Sequence, residues 1–288
     1  MNFQIKKFNM DMLKDRCEVD SRKSPMIVLI GKKDTGKSFL VRDILFHTQH
    51  EFPIGTVISA TEVANEFFQH MVPSKLIHDK YQPSIVTNVI KWQLAVKTAR
   101  NEDKKRNGGN STTDPRAFLI LDDCLFDGSW IKEESTRYIF MNGRHIDVMT
   151  IITMHYPLGI SPNLRTNVDF IFVLRENILG NRRRIYENYA GMFPTFEMFC
   201  QFMDQCTENF ECLVICNGVQ SNKLEDQVFW YKASDHPPFH LCDDSLWHDN
   251  KPFSSSMLAQ DDYSADTMRK KSSSPWVHVN QEGKEKKR

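Results

Sequence analysis

Eight consecutive residues, Gly31-Lys32-Lys33-Asp34-Thr35-Gly36-Lys37-Ser38, constrain this chain more than any other stretch. They follow an apolar run at 26–30 and precede a helix-like segment at 39–46. Strand, glycine-bounded loop and helix form one unit, and the spacing matches G-x-x-x-x-G-K-[ST], the Walker A pattern. Gly31 and Gly36 let the backbone turn tightly and bring its N–H groups against phosphate oxygens. The helix behind the loop points its positive end at the same phosphates. Lys37 can reach the β- and γ-phosphates as a point charge, and the Ser38 hydroxyl can coordinate Mg²⁺. The expected ligand of residues 31–38 is therefore ATP with Mg²⁺.

A second apolar run, 117–121, ends in Asp122-Asp123. An apolar strand closed by acids has the form of a Walker B strand, whose end lies beside the phosphate loop. Asp122 is the expected metal residue, acting through the ion's water shell. Asp123 is the candidate for polarising the attacking water. The usual second acid in such ATPases is Glu, so Asp123 has the shorter reach. A third strand, 148–154, is mostly apolar and β-branched, as a buried parallel strand should be, and runs into His155. Polar groups at a strand's C-terminal end sit where ligands bind in open α/β sheets, which makes His155 a candidate to contact the γ-phosphate or the water.

Other strands are expected at 56–60, 168–174, 212–217 and 227–233, with helices at 84–100, 131–142, 182–189 and 195–206. The aromatic stripe of 195–206 reads as core packing. Residues 101–116, NEDKKRNGGNSTTDPR, have no apolar periodicity and read as a loop. Its Lys104, Lys105, Arg106 and Arg116, with Arg182, Arg183 and Arg184 further on, are candidates for facing a phosphate backbone. A looser set, His236, His240, Cys242 and His248, fits none of the usual zinc spacings.

The expected fold class is α/β, a mostly parallel central sheet flanked by helices. The 288 residues suffice for one large domain plus a tail. We expect a lead-in at 1–24, a nucleotide-binding domain at 25–233, and a polar extension at 234–288, largely disordered after about 253. Beyond Ala265 the tail carries seven Lys/Arg against three Asp/Glu. Over the whole chain 37 Lys/Arg balance 37 Asp/Glu, which excludes a globally basic nucleic-acid binder but not a local basic patch. Seven cysteines in a chain of this length are no disulfide scaffold. Residues 1–20 carry charges throughout, unlike a signal peptide, and no apolar run approaches the ~20 residues of a membrane span. These features lead us to expect a soluble protein of a reducing compartment.

With Walker A, the LILDD strand, the NGRH element and the TMHYP strand end in one order, the chain resembles the genome-packaging ATPases of large DNA viruses. These are the poxvirus-type virion ATPases, in the FtsK–HerA branch of P-loop motors. The resemblance spans about 23–233 and includes YENYAGMFPTFEMFCQFMDQCTENFECLVICN and EDQVFWYKA. It implies a RecA/ASCE-like P-loop NTPase fold and ATP hydrolysis coupled to sequence-independent translocation of double-stranded DNA. It also implies a homo-oligomeric ring, a capsid or portal-like partner, and residence in the host cytoplasm and the virion. By this resemblance Lys37 and Ser38 take the nucleotide and Mg²⁺ positions, and Asp122 and Asp123 the Walker B pair. His155 stands where such motors commonly carry a γ-phosphate-sensing Gln. Arg144 resembles the arginine inserted into a neighbour's site, with Arg165 the competing candidate. A small-substrate kinase and a non-hydrolysing ATP-binding switch share the phosphate loop and stay open on the sequence.

Overall fold

Every residue of Met26–Ile30 is buried, so this strand needs cover on both faces. The computed structural model, which describes residues 5–19, 21–124 and 130–248, supplies it with helices on each side of one sheet. In chain order the elements are β1 (Lys6–Lys7), α1 (Asp11–Lys14), β2 (Met26–Ile30), α2 (Lys37–His47), β3 (Ile54–Ser59), α3 (Glu62–Asn65), β4 (Ile77–His78), α4 (Pro83–Arg106), β5 (Ala117–Asp122), α5 (Glu134–Asn142), β6 (Val148–Met154), α6 (Pro162–Arg165), β7 (Phe170–Val173), α7 (Leu179–Tyr189), α8 (Phe196–Cys206), β8 (Glu211–Cys216), α9 (Leu224–Gln227) and β9 (Val228–Lys232). The sheet runs β1-β9-β8-β7-β2-β6-β5-β3-β4. All its pairs are parallel except those of β8 with β7 and β9. This is the expected α/β class, a P-loop NTPase fold.

Alternation along β2 divides the core into two layers. Val28 and Ile30 join Leu119, Leu121 and Ile152 under Ile90 of α4, Phe140 of α5, Ile185 of α7 and Phe199 of α8. Ile27 and Leu29 join Ile120, Ile151 and Phe172 against Leu40, Val41, Ile44 and Leu45 of α2. Burying each such side chain contributes roughly 1.5–3 kcal/mol. The layers clamp β2 between β6 and β7, with Met26 opposite Thr150 and Ile27 opposite Phe170. The loop that follows β2 is thereby fixed at the middle of the sheet's C-terminal edge.

One expectation is corrected. Residues 101–106, read as loop, are the last turns of α4. Charged residues are good helix formers, and Glu102 pairs with Arg106 one turn on at 3.8 Å. The lost periodicity marks a helix end leaving the core, not a chain leaving the helix. On both flanks of the expected domain, described residues pack against it. In the lead-in, Phe8 is buried edge-on to Phe170, Phe172, Phe229 and Tyr231 at 5.7–6.0 Å, and β1 pairs with β9. In the extension, Phe239 and Leu241 are buried, and the Leu241 N–H donates to the Met71 carbonyl at 2.8 Å. The tail expected to be disordered lies outside the described residues.

Candidate active site

The loop after β2 leaves the sheet between two neighbours. The Gly31 N–H donates to the Met154 carbonyl of β6 at 3.1 Å, and the Leu174 N–H, just past β7, donates to the Ile30 carbonyl at 2.9 Å. A Cβ on Gly31 would lie 2.7 Å from Thr35 Oγ1 and 3.0 Å from Leu174 Cβ, so only glycine fits this closure. The Thr35 hydroxyl donates to the Lys32 carbonyl at 2.7 Å and holds the loop round. Asp34 and Gly36 then take left-handed φ angles of 61° and 100°. Gly36 is the N-cap of α2, and no side chain caps it. The first amides of an eleven-residue helix are thus unpaired within the helix and aimed at the loop's concavity, an arrangement suited to an anion. Lys33, Asp34 and Ser38 are exposed at this rim. Lys32 is drawn aside, its ammonium donating to Glu176 at 2.6 Å and to Asn177 at 2.8 Å.

Lys37 is buried and its ammonium meets three acceptors: the Gly31 carbonyl at 2.8 Å, the Lys32 carbonyl at 3.1 Å and His155 Nδ1 at 3.1 Å. An ammonium has three hydrogens, so this set saturates it. Nδ1 also lies 3.1 Å from the Gly31 carbonyl, which would ask it to donate. The partner of Nε2 decides the tautomer. It is Asp123 Oδ2 at 3.1 Å, an acceptor that requires Nε2–H and leaves Nδ1 its lone pair for Lys37. The result is a donor chain from Lys37 to His155 to Asp123. Burial pulls the Lys37 pKa below its ordinary value, against the opposing charges of Asp123, Asp122 and Asp34.

Asp122 is buried at the end of β5, one oxygen accepting from Ser59 at 2.9 Å and the other from Thr153 at 2.8 Å. Thr153 also accepts the Asp123 N–H at 3.0 Å, and Asp123 itself has φ 47°. Burial raises the Asp122 pKa, with the Asp123 charge adding to it; the Thr153 and Ser59 hydrogen bonds and the Lys37 charge pull the other way. Glu62 lies on the same side, buried, its carboxylate taking the Phe68 and Gln69 N–H groups. Ser59, Glu62 and Thr153 escaped the sequence reading. The available signal was polar residues at the ends of two strands otherwise made of apolar ones.

The structure therefore gathers Lys37, Asp122, Asp123 and His155 around the loop, and leaves other candidates away from it. Arg144 lines a small cavity with Met26, Val148 and Asp169, at the N-terminal ends of β2, β6 and β7. The length of β6 separates it from the loop, roughly 20 Å at strand rise. Arg165 donates to Asn188 and lies over the Tyr189 ring at 5.4 Å. Two candidates for facing a phosphate backbone are half-buried in ion pairs within the chain. Arg116 is paired with Asp114 at 2.7 Å and with Glu51, and Arg182 with Asp204 at 2.7 Å. Arg183 and Arg184 lie over the rings of Phe196 and Tyr156. Of the loose zinc set, His240 stacks on Trp247, while His236 joins Asp43 and His47 in the one described group within mutual metal-ligand reach. No helix among the described residues is long and apolar enough to cross a membrane.

No protein-family model matches the chain. Uncharacterized protein L437 of Acanthamoeba polyphaga mimivirus is 39% identical over 212 residues, 73% of this chain and 73% of that protein. EssC (ATPases 2 and 3) from Geobacillus thermodenitrificans covers 75% of this chain and 41% of its own at 13% identity and a TM-score of 0.51, a likeness of fold. The genome packaging NTPase B204 from Sulfolobus turreted icosahedral virus 2, in complex with sulfate, covers 75% of this chain and 98% of its own at 14% identity and a TM-score of 0.48. The chain therefore belongs to one family with the mimivirus protein, and its fold is that of the P-loop NTPases.

Proposed function

We propose that this protein hydrolyses ATP to drive double-stranded DNA into a viral capsid. The observation that carries the reading is the meeting of Lys37, Asp122, Asp123 and His155 at an uncapped helix N-terminus. That helix end and the left-handed Gly36 suit a polyphosphate. Ser38 and Asp122 would hold Mg²⁺. Both Asp122 oxygens already accept a hydroxyl, which suits contact through the ion's water shell. When bound, the ion would supply charge neutralisation to the phosphates.

The donor chain gives these residues an order of events. Before nucleotide enters, Lys37 is spent on two loop carbonyls and His155, and His155 holds Asp123. A triphosphate offers Lys37 charged acceptors, and such hydrogen bonds are roughly twice as strong as neutral ones. Lys37 turns to the phosphate and His155 loses its donor. The ring can then rotate toward the γ-phosphate and free Asp123 to orient water and accept its proton. Loss of the γ-phosphate reverses the sequence. His155 thereby reports occupancy through the acid it restrains, a way for histidine to serve where glutamine is usual.

Arg144, at the far end of the sheet, can serve such a site only from a neighbouring subunit, as in a ring with nucleotide at each interface. Lys104, Lys105 and Arg106 end α4, which runs from the sheet toward that same end: Lys97, two turns earlier, donates to the His145 carbonyl at 2.6 Å. They are our candidates for a phosphate grip independent of sequence, which a motor passing every base pair requires. A capsid or portal-like partner, and action in the host cytoplasm and virion, belong to the same reading. ATP turnover with and without double-stranded DNA, across protein concentrations, tests it. Turnover should rise with DNA and with assembly, and Lys37→Ala should abolish it. Turnover indifferent to DNA would return the reading to a small-substrate kinase, and none at all to a nucleotide-dependent switch.

A further inference from the structure

The strands around β2 give the site a direction. On one side, β6 and β5 bring up His155, Asp123 and Asp122, which mark the γ-phosphate end. On the other side are β7 and β8. Because β8 runs antiparallel to β7, with Leu213 opposite Val173, its first residues lie at the sheet's ligand edge. The turn joining α8 to β8 therefore delivers Phe210 beside the phosphate loop, on the flank away from the acids.

Phe210 is 70% exposed, the most exposed large apolar side chain among the described residues. Its ring nevertheless reaches the loop: a methyl group built on Gly36 would lie 3.5 Å from Phe210 Cδ1 and 3.8 Å from its Cβ. The backbone that holds it is unusual. Asn209 and Phe210 both take left-handed φ angles, 50° and 64°, a region residues with a Cβ seldom adopt, let alone in succession. The turn is pinned on both sides, the buried Thr207 hydroxyl donating to the Met203 carbonyl at 2.6 Å and the Glu211 N–H to the Glu208 carbonyl at 2.8 Å. A phenylalanine would ordinarily be tucked into a core. Here strained, anchored backbone presents its ring to solvent against the one loop built for phosphates, and such strain gathers at ligand clamps.

We infer that Phe210 is the platform on which the base of the bound nucleotide stacks. The inference rests on the nucleotide reading of the loop and adds the substrate's other end. A triphosphate laid from the acids across the loop to the α2 N-terminus carries its ribose and base onward, toward the β7–β8 flank. A phenyl face offers dispersion and π-stacking but no donor or acceptor, so it holds any base and holds the broad purines best. The site should accept ATP and GTP alike and discriminate against pyrimidine triphosphates.

The test measures the affinities of Mg·ATP and of inorganic tripolyphosphate for the full chain, by calorimetry, in wild type, Phe210→Ala and Phe210→Trp. Stacking on an aromatic side chain corresponds to a loss of about 5–150-fold on truncation. Phe210→Ala should weaken ATP by that factor and leave tripolyphosphate unchanged. Phe210→Trp should keep ATP affinity, and its indole emission should respond to ATP but not to tripolyphosphate. Wild-type ATP affinity in Phe210→Ala overturns the inference, as does an equal loss of both ligands, which would make Phe210 a support of the loop. Failure of the wild type to bind either ligand would instead remove the nucleotide reading itself, and the platform with it.

Discussion

Thr153 carries one hydroxyl between the two acids of the site, and Thr153→Val removes it at constant shape. The residue is fully buried in β6; it donates to Asp122 at 2.8 Å and accepts the Asp123 N–H at 3.0 Å. A hydrogen bond to a charged group contributes about 1.5–3 kcal/mol, and a stranded donor costs about 1–3 kcal/mol. The second term belongs at its low end, since the Asp123 side chain is 21% exposed and water reaches it. The sum is about 3 kcal/mol, or roughly 6–12 °C in Tm for a domain of this size. The pH dependence carries the sharper test. Burial already raises the Asp122 pKa, so that group's contribution to stability is fully present below the unfolded carboxylate pKa, near 3.9, and lost as pH rises through the raised folded value. Removing a hydrogen bond that favours the charged form raises the folded pKa further. The variant's deficit should be largest at neutral pH and shrink as the pH falls from 7 toward 4. Urea unfolding of both proteins across that range measures it. A variant within about 0.5 kcal/mol of wild type at pH 7, measured against the handful of kcal/mol a domain has in total, would refute the reasoning, as would a deficit that grows in acid.

The same substitution three residues earlier should have the opposite sign. The Thr150 hydroxyl is fully buried with no hydrogen-bond partner among the described residues, so Thr150→Val should raise stability by about 1 kcal/mol in the same unfolding assay. If Arg144 acts across a subunit interface, mixing Arg144→Ala with Lys37→Ala protein should give more ATP turnover than either parent, and a mixture no better than its parents counts against it. Replacing Lys104, Lys105 and Arg106 by Gln should lower DNA-stimulated turnover and flatten its salt dependence while the basal rate stays; unchanged stimulation would clear these residues of any grip.

The strands of the parallel core were legible because each is a short, mostly apolar run, and burial on both faces demands that composition. Val148–Met154 falls where the sequence placed it. The phosphate loop was legible because the backbone path it needs admits few residues. What could not be read was whatever depends on partners distant in sequence. Thr153 looks like any β-former until β5 lies beside it. Lys6–Lys7 has no strand pattern of its own and is a strand only by pairing with Phe229 and Trp230. Phe210 lies just past the aromatic stripe of 195–206 that reads as packing, and only its exposure beside Gly36 sets it apart from Phe199 and Phe202, which are core. Arg182 looked like an available cation because its acid, Asp204, lies 22 positions away, and of the two acids that hold Arg116 one, Glu51, lies 65 positions away.

The pairing of β1 with β9 sets a schedule for the newborn chain. Lys6 and Lys7 find their only described strand neighbour in a segment made more than two hundred residues later. At about 5–20 residues per second the ribosome needs roughly 10–45 s to supply the ~220 residues between them. For that interval Phe8, Met10, Leu13 and Cys17, all of them buried in the finished protein, have no completed surface to cover them. An amino-terminal tag or fusion that hampers this late docking should therefore lower the yield of folded protein more than the same addition at the carboxyl end.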